Sequence, residues 1–171
     1  VFDGVSDYLD CGDLTFLNSA SAFSISVWIK SDNTSSLDYI CSKNYGNNRI
    51  HISIAYNIMY FNVSNGTNTY ATVPFTSTDW NHISLVFNGS ETGNSNRLKA
   101  YINGEEQSLT FTGTIPSTTA NLSGTAFHIG KRDSDYFSGK MCDFKIFNSL
   151  LTEAQVQELY KKPENTPSVV Q

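Results

Sequence analysis

The chain has 171 residues, 39% of them hydrophobic and 13% aromatic, which is enough for one domain with its own core. Sixteen acidic against eleven basic residues give a formal net charge of −5. That balance excludes the basic stripe needed to neutralise nucleic-acid phosphates, and it disfavours purely charge-driven binding to sulfated polysaccharide. No apolar run approaches the roughly 20 residues of a membrane-crossing helix, so no membrane insertion is expected.

The chain opens at Val1 inside an apparent strand, "FDGVSDYLD", and ends on the polar, proline-bearing "KKPENTPSVVQ". We read residues 1–162 as one domain and residues 163–171 as a polar tail or linker, so that the domain is a module of a longer protein. Between these ends the dominant period is two. In "FSISVWI", Phe23, Ile25, Val27 and Ile29 share one face, with Ser24, Ser26 and Trp28 on the other. "RIHISIA" sets Ile50, Ile52 and Ile54 against Arg49, His51 and Ser53; "HISLVF" aligns Ile83, Leu85 and Phe87; "RLKAYIN" aligns Leu98, Ala100 and Ile102. Turn clusters such as "SDNTSS", "NYGNN" and "NGSETGNSN" bound these runs, and Asn103-Gly104 is a type I′ hairpin pair. Many short alternating strands, each with one wet face, predict an all-β, two-sheet antiparallel sandwich.

Trp80, just ahead of "HISLVF", is expected to anchor the core. His51, His82 and His128 fall opposite the apolar faces of their strands and are expected to be solvated. Near the end, "LLTEAQVQELYKKP" predicts a helix: Thr152 and Gln155 form a capping box, Leu151 and Val156 a hydrophobic staple, and Pro163 stops it. This helix should close an open end of the sandwich. Three cysteines leave at least one unpaired, and their spacing fits no zinc site. Buried free thiols are expected at Cys11, Cys41 and Cys142, with a Cys11–Cys142 bridge as the alternative if the first and last strands are neighbours. Asn-x-Ser/Thr matches at Asn33, Asn62, Asn65, Asn88 and Asn121 are expected in so Asn-, Ser- and Thr-rich a chain.

The segments "FDGVSDYLD", "FSISVWIKSD", "DWNHISLVFNG", "LKAYINGE", "FHIGKR" and "YFSGKMCDFKIFNSLLTEAQVQELY", in that order, resemble the laminin-G-like/pentraxin-like branch of the concanavalin A-like lectin/glucanase superfamily. The resemblance implies a jelly-roll sandwich with one short C-terminal helix. The glucanase branch hydrolyses with a Glu-x-Asp-x-x-Glu strand motif, which is missing here. Glu91, Glu105 and Glu106 sit in turns, and Glu153, Glu158 and Glu164 belong to the helix and tail. No enzymatic activity is expected.

In pentraxin-like relatives two rim loops supply calcium ligands. By position, Asn47 and Asn48 of "NYGNN" together with Asp133 and Asp135 of "GKRDSDYFSG" match that metal set, although Arg132 beside it opposes a cation and calcium prefers more carboxylates. The same two loops offer Asn44, Tyr45, Arg49, Arg132, Asp133 and Tyr136 as ligand-binding residues. Amides, a carboxylate and guanidinium forks suit paired hydroxyls, and tyrosine rings suit the C–H face of a sugar. The expectation is that residues 44–49 and 131–136 meet on one rim. Asp3 and Asp143, on neighbouring strands, are a second acidic pair, but Asp143 falls on the same face as Lys145 and a salt bridge accounts for it. The implied function is a noncatalytic carbohydrate-binding, lectin-like or adhesion module that is secreted or on a cell or particle surface, with glycan or polysaccharide as partner. A structural or protein-interaction domain is the alternative, and a glycan-active hydrolase relative the third reading.

Overall fold

A computed structural model describes residues 1–161. Pro163, Glu164 and the expected tail lie outside these residues. Sheet A contains, in spatial order, β1 (Phe2–Asp3), β15 (Ser138–Phe147), β3 (Ala22–Ser31), β8 (Asn81–Asn88), β9 (Leu98–Ile102) and β10 (Glu105–Glu106). Sheet B contains β11 (Thr110–Thr112), β7 (Tyr70–Pro74), β6 (Ile58–Ser64), β5 (Asn48–Ala55), β4 (Asp38–Tyr45), β12 (His128–Ile129) and β2 (Leu9–Asp10). A separate small hairpin pairs β13 (Lys131–Arg132) with β14 (Asp135–Tyr136). A short α1 (Asn94–Arg97) precedes β9, and α2 (Glu153–Lys161) follows β15. The fold is a two-sheet antiparallel jelly-roll sandwich.

Period two places the core as expected. Phe23, Ile25, Val27 and Ile29 of β3, Ile50, Ile52 and Ile54 of β5, and Ile83, Leu85 and Phe87 of β8 are completely buried in one cluster between the sheets. Each such side chain contributes about 1.5–3 kcal/mol relative to exposure. Asn103 and Gly104 have φ of 53° and 81°, as a type I′ turn requires, and they join β9 to β10.

The outer faces are not wet, and this corrects several expectations. Helix α2 does not close an open end of the sandwich but lies on the outer face of sheet A. There Val156 and Leu151, the staple pair, pack with Val86 and Tyr101. The capping box forms as read: the Thr152 N–H donates to Gln155 Oε1 at 2.9 Å, and the Gln155 N–H donates to Thr152 Oγ1 at 3.3 Å. Ser24 Oγ donates to the Ser149 carbonyl and accepts from the Leu151 N–H, while Trp28 stacks on Tyr160 with ring centroids 5.6 Å apart.

His82 is therefore buried, not solvated, and Ser26 Oγ lies 2.8 Å from its Nε2. Burial, only partly offset by Asp143, lowers its pKa to about 4. Only His128 keeps partial exposure. Trp80 is exposed and does not anchor the core. It shares the parity of His82 rather than Ile83, so the pleat turns it outward. Asn81 fixes that strand end instead, its amide donating to Ser77 Oγ and the Asp79 carbonyl at 2.8 Å each.

The three cysteines are free: Cys41 is buried, Cys142 half-buried and Cys11 exposed. β1 does pair with β15, but the chain then crosses to sheet B as β2, which carries Cys11 away from Cys142. Asp3 likewise does not face Asp143. Its carboxylate accepts the N–H groups of Val5, Ser6 and Asp7, which hold its pKa well below the usual range, while Asp143 pairs with Lys145.

Candidate functional site

The charged stretch that begins at Gly130 follows a path set by two glycines. Gly130 has φ +84°, and a Cβ there would lie 2.5 Å from the Phe2 ring. Gly139 has φ +141°, and its Cβ would meet the Lys30 carbonyl at 2.2 Å. Only glycine fits either position without displacing neighbours. Between them, Phe137 is completely buried, and its N–H donates to the Gly130 carbonyl at 2.9 Å. The β13–β14 hairpin is thereby folded against β4: the Gly130 N–H donates to the Ile40 carbonyl at 2.9 Å, and Ser42 Oγ donates to the Lys131 carbonyl at 2.6 Å.

This placement separates the two stretches expected to share a rim. Gly130 lies beside Ile40, near the start of β4, whereas the turn at Gly46 and Asn47 closes the opposite end of that strand. What brings the stretches together is the outer face of sheet B, where Arg49 and Arg132 line one open trough of about 250 Å3. Tyr45 instead borders a different depression, formed with residues 121–125. Asn44 pairs with Arg49 across the β4–β5 ladder and is half-buried. Tyr136 leans on Tyr8, ring centroids 6.3 Å apart, with the Lys131 ammonium 5.2 Å from its ring centre.

The trough floor is the outward set of alternate residues on sheet B: Tyr39, His51, Tyr60, Asn62 and Tyr70. Arg132 forms a wall; its Nη1 donates to the Tyr39 hydroxyl at 2.6 Å, and its guanidinium lies 5.1 Å from the centre of that ring. Tyr39 in turn meets His51 edge-on at 5.2 Å. Arg49 donates through Nε to the Gly46 carbonyl (2.9 Å), through Nη1 to Asn68 Oδ1 (3.0 Å) and through Nη2 to Asn47 Oδ1 (3.2 Å). Tyr60 and Tyr70 tilt toward each other at 5.8 Å.

Burial, reinforced by the charges of Arg132 and Arg49, takes His51 down to about 3, so its imidazole is neutral. It too is buried rather than solvated. Burial also raises the Tyr39 pKa and, together with repulsion from Arg132, lowers that of Arg49.

Three buried polar atoms on this surface have no hydrogen-bond partner among the described residues: His51 Nδ1, Asn62 Oδ1 and Arg132 Nε. The Asp133 carboxylate lies 3.4 Å from Arg132 Nε as an ion pair. His51 and Asn62 sit opposite each other on β5 and β6. Asn62 is only 2% exposed, which removes it as a glycosylation acceptor. Leaving such atoms unpaired in an interior costs on the order of 1–3 kcal/mol each, and all three are shielded from solvent beneath the trough floor.

The residues matched to a calcium set do not fit that ion. Asn47 Oδ1 accepts from the Arg49 cation and Asn48 Oδ1 from the Gly66 N–H, while Asp133 is paired with Arg132 and Asp135 lies opposite Arg132 in the β13–β14 hairpin. Among the described residues no group of three or more His, Cys, Asp or Glu side chains is placed to hold a metal ion.

Tyr39, His51, Tyr60, Asn62 and Tyr70 were not singled out as site residues from the sequence. Their signal was the outward half of each alternating run, "RIHISIA" and "MYFNVS", which carries rings and amides where a plain wet face would carry Ser, Thr and Lys.

The chain belongs to the concanavalin A-like lectin/glucanases superfamily, whose family profile matches residues 3–157. No curated protein matches it. Among solved structures, it is similar to the SAP-like pentraxin of Limulus polyphemus, at 18% identity over 93% of this chain and 79% of that one, with a TM-score of 0.64. It is also similar to the CBM40 domain of the Ruminococcus gnavus IT-sialidase, determined bound to α2,3 sialyllactose, at 13% identity over 93% and 96% of the two chains and a TM-score of 0.65. The binding domain of Botulinum neurotoxin DC, in complex with SialylT, matches at 17% identity and a TM-score of 0.67, covering 96% of this chain but 42% of that one. At these identities the likeness establishes the fold.

Proposed function

We propose that the protein is a noncatalytic carbohydrate-binding module that holds glycan in the trough on the outer face of sheet B. The observation that carries this reading is the combination of the Arg49 and Arg132 guanidiniums and the Asn68 amide with the rings of Tyr39, Tyr60 and Tyr70 in one open surface. Sugars present alternating hydroxyls and C–H faces, and the trough offers both complements. The groups are held by a rigid sheet, so little ordering cost falls on binding.

No carboxylate lines the trough among the described residues, whereas glycoside hydrolysis needs two flanking the scissile bond. Binding without turnover is the function that fits. The α2,3 sialyllactose complex of the CBM40 domain, matched over 96% of its length, supports the class of ligand, and the trough supports its place on this chain. A module of this kind works on an extracellular, cell or particle surface, where glycans are displayed, and it needs no cation.

The test is a glycan array followed by calorimetry on the strongest binder, with Tyr60→Ala and Tyr70→Ala as variants. Each ring should be worth about 1 kcal/mol, roughly a five- to tenfold loss of affinity, with the fold unchanged by circular dichroism and binding unchanged by EDTA. No glycan bound by the unmodified protein, or full affinity in both variants, overturns the reading. In that case a protein partner becomes the occupant to seek.

A further inference from the structure

Resting on that reading, we propose that the glycan is acidic and that its sugar carboxylate seats between Arg49 and Arg132. The chain carries a net charge of −5, yet the trough is lined by two guanidiniums and, among the described residues, by no carboxylate. The two come from β5 and from the β13–β14 hairpin, more than eighty positions apart. The fold therefore converges like charges on one surface, where each disfavours the other.

Neither charge is well neutralised by the protein. All three oxygens that Arg49 bonds are neutral: a backbone carbonyl and two Asn amides. Arg132 has two acidic neighbours: Asp133, an ion pair whose carboxylate side chain is 67% exposed and therefore weak, and Asp135, opposite it in the β13–β14 hairpin but outside the trough lining. The other titratable groups facing these two cations are His51, held neutral by burial, and the Tyr39 phenol, which accepts from Arg132 rather than ionising.

The donor count leaves room for an anion. A guanidinium has five N–H groups. Arg49 uses three of them on protein oxygens and Arg132 uses one, on Tyr39. A planar carboxylate matches such forks edge to edge. The ring of the same sugar then lies over Tyr60 and Tyr70, which line the trough beside the arginines. Asp133 stands at the edge as the group the incoming carboxylate displaces. Its φ of +52° is one that Asn also tolerates, so its charge can be removed without moving the turn.

A sulfate ester shares the negative charge but not the planar two-oxygen edge, and the experiment separates the two. Affinities are measured by calorimetry for matched pairs: trigalacturonate against its methyl ester, 3′-sialyllactose against lactose, and 3′-sulfolactose against lactose. At least one carboxylated sugar should bind tenfold or more tighter than its neutral partner. Arg132→Gln and Arg49→Gln should collapse that ratio toward one, while Asp133→Asn raises carboxylate affinity two- to fivefold. A variant that merely loosened the trough would weaken both members of a pair equally, so the ratio is the diagnostic.

Equal affinity within both carboxylate pairs, with Tyr60→Ala still destructive, overturns the acidic assignment and leaves the carbohydrate-binding reading intact. Preference for 3′-sulfolactose alone also overturns it. Absence of binding to every sugar, neutral or acidic, sinks both proposals together.

Discussion

The two outer faces of this sandwich begin from the same pattern, polar residues alternating with core, and end differently. On sheet A the chain covers its own work: Val156 and Leu151 meet Val86 and Tyr101, and Tyr160 lies over Trp28 and His82. Trp28 Nε1, His82 Nδ1 and Ser84 Oγ are also without hydrogen-bond partners there, but aromatic rings and α2 lie over that face. On sheet B, among the described residues, no helix arrives. The β13–β14 hairpin covers one flank of the outer face, and the rest is an open trough lined by Tyr60, Tyr70 and two guanidiniums, with its unpaired groups lying just beneath. Unsatisfied polar groups therefore do not tell the two faces apart; the open, ring-lined surface on sheet B does.

Substitutions that act on one face and spare the other sharpen this contrast. The largest effect is expected from Val156→Asp, which puts a charge into the completely buried position beneath α2. It should cost about 3 kcal/mol or more in urea unfolding, because an unpaired charge is driven into an apolar cluster. Glycan affinity measured at low temperature should stay within twofold, since the trough shares no residue with that cluster. A parallel loss of affinity would break the separation of the two faces.

Acid should act on both faces. His51 and His82 have folded pKa values of about 3 and about 4 against an ordinary 6.5. The unfolded chain therefore binds more protons between pH 6.5 and pH 4. The stability linked to these residues is fully present above pH 6.5 and declines as pH falls toward 4, by about 1.4 kcal/mol per pH unit for each histidine. Urea titrations at pH 7.0, 5.5 and 4.5 should show this slope and its reduction in His51→Asn and His82→Asn. Equal slopes in all three proteins would mean that the imidazoles are not buried neutral. Smaller still is Thr152→Ala, which removes the hydroxyl that accepts from the Gln155 N–H and should cost about 1 kcal/mol with no effect on binding.

Much of the architecture is legible in the residues. Alternation in β3, β5 and β8 names the core, Asn103-Gly104 names its turn, and Thr152 with Gln155 names the helix start, because each signal is local. Trp80 carries two conflicting signals: its size suggests the core, while its parity with His82 points outward, and parity wins. Which outer face stays open is a different kind of question. It depends on where α2 lands and on how Gly130 turns the charged hairpin against β4, and both are contacts between distant segments. Arg49 and Arg132 were singled out for their chemistry, but the surface that unites them runs through Tyr39 and His51 rather than along a rim.

The most direct measurement is an amide-resolved NMR titration of the protein with its best-bound glycan. Shift changes should concentrate at Tyr39, His51, Tyr60, Asn62, Tyr70 and Arg132 and leave β8, β9 and α2 still. Changes centred on the α2 face, or on the depression at Tyr45 and residues 121–125, would contradict the account.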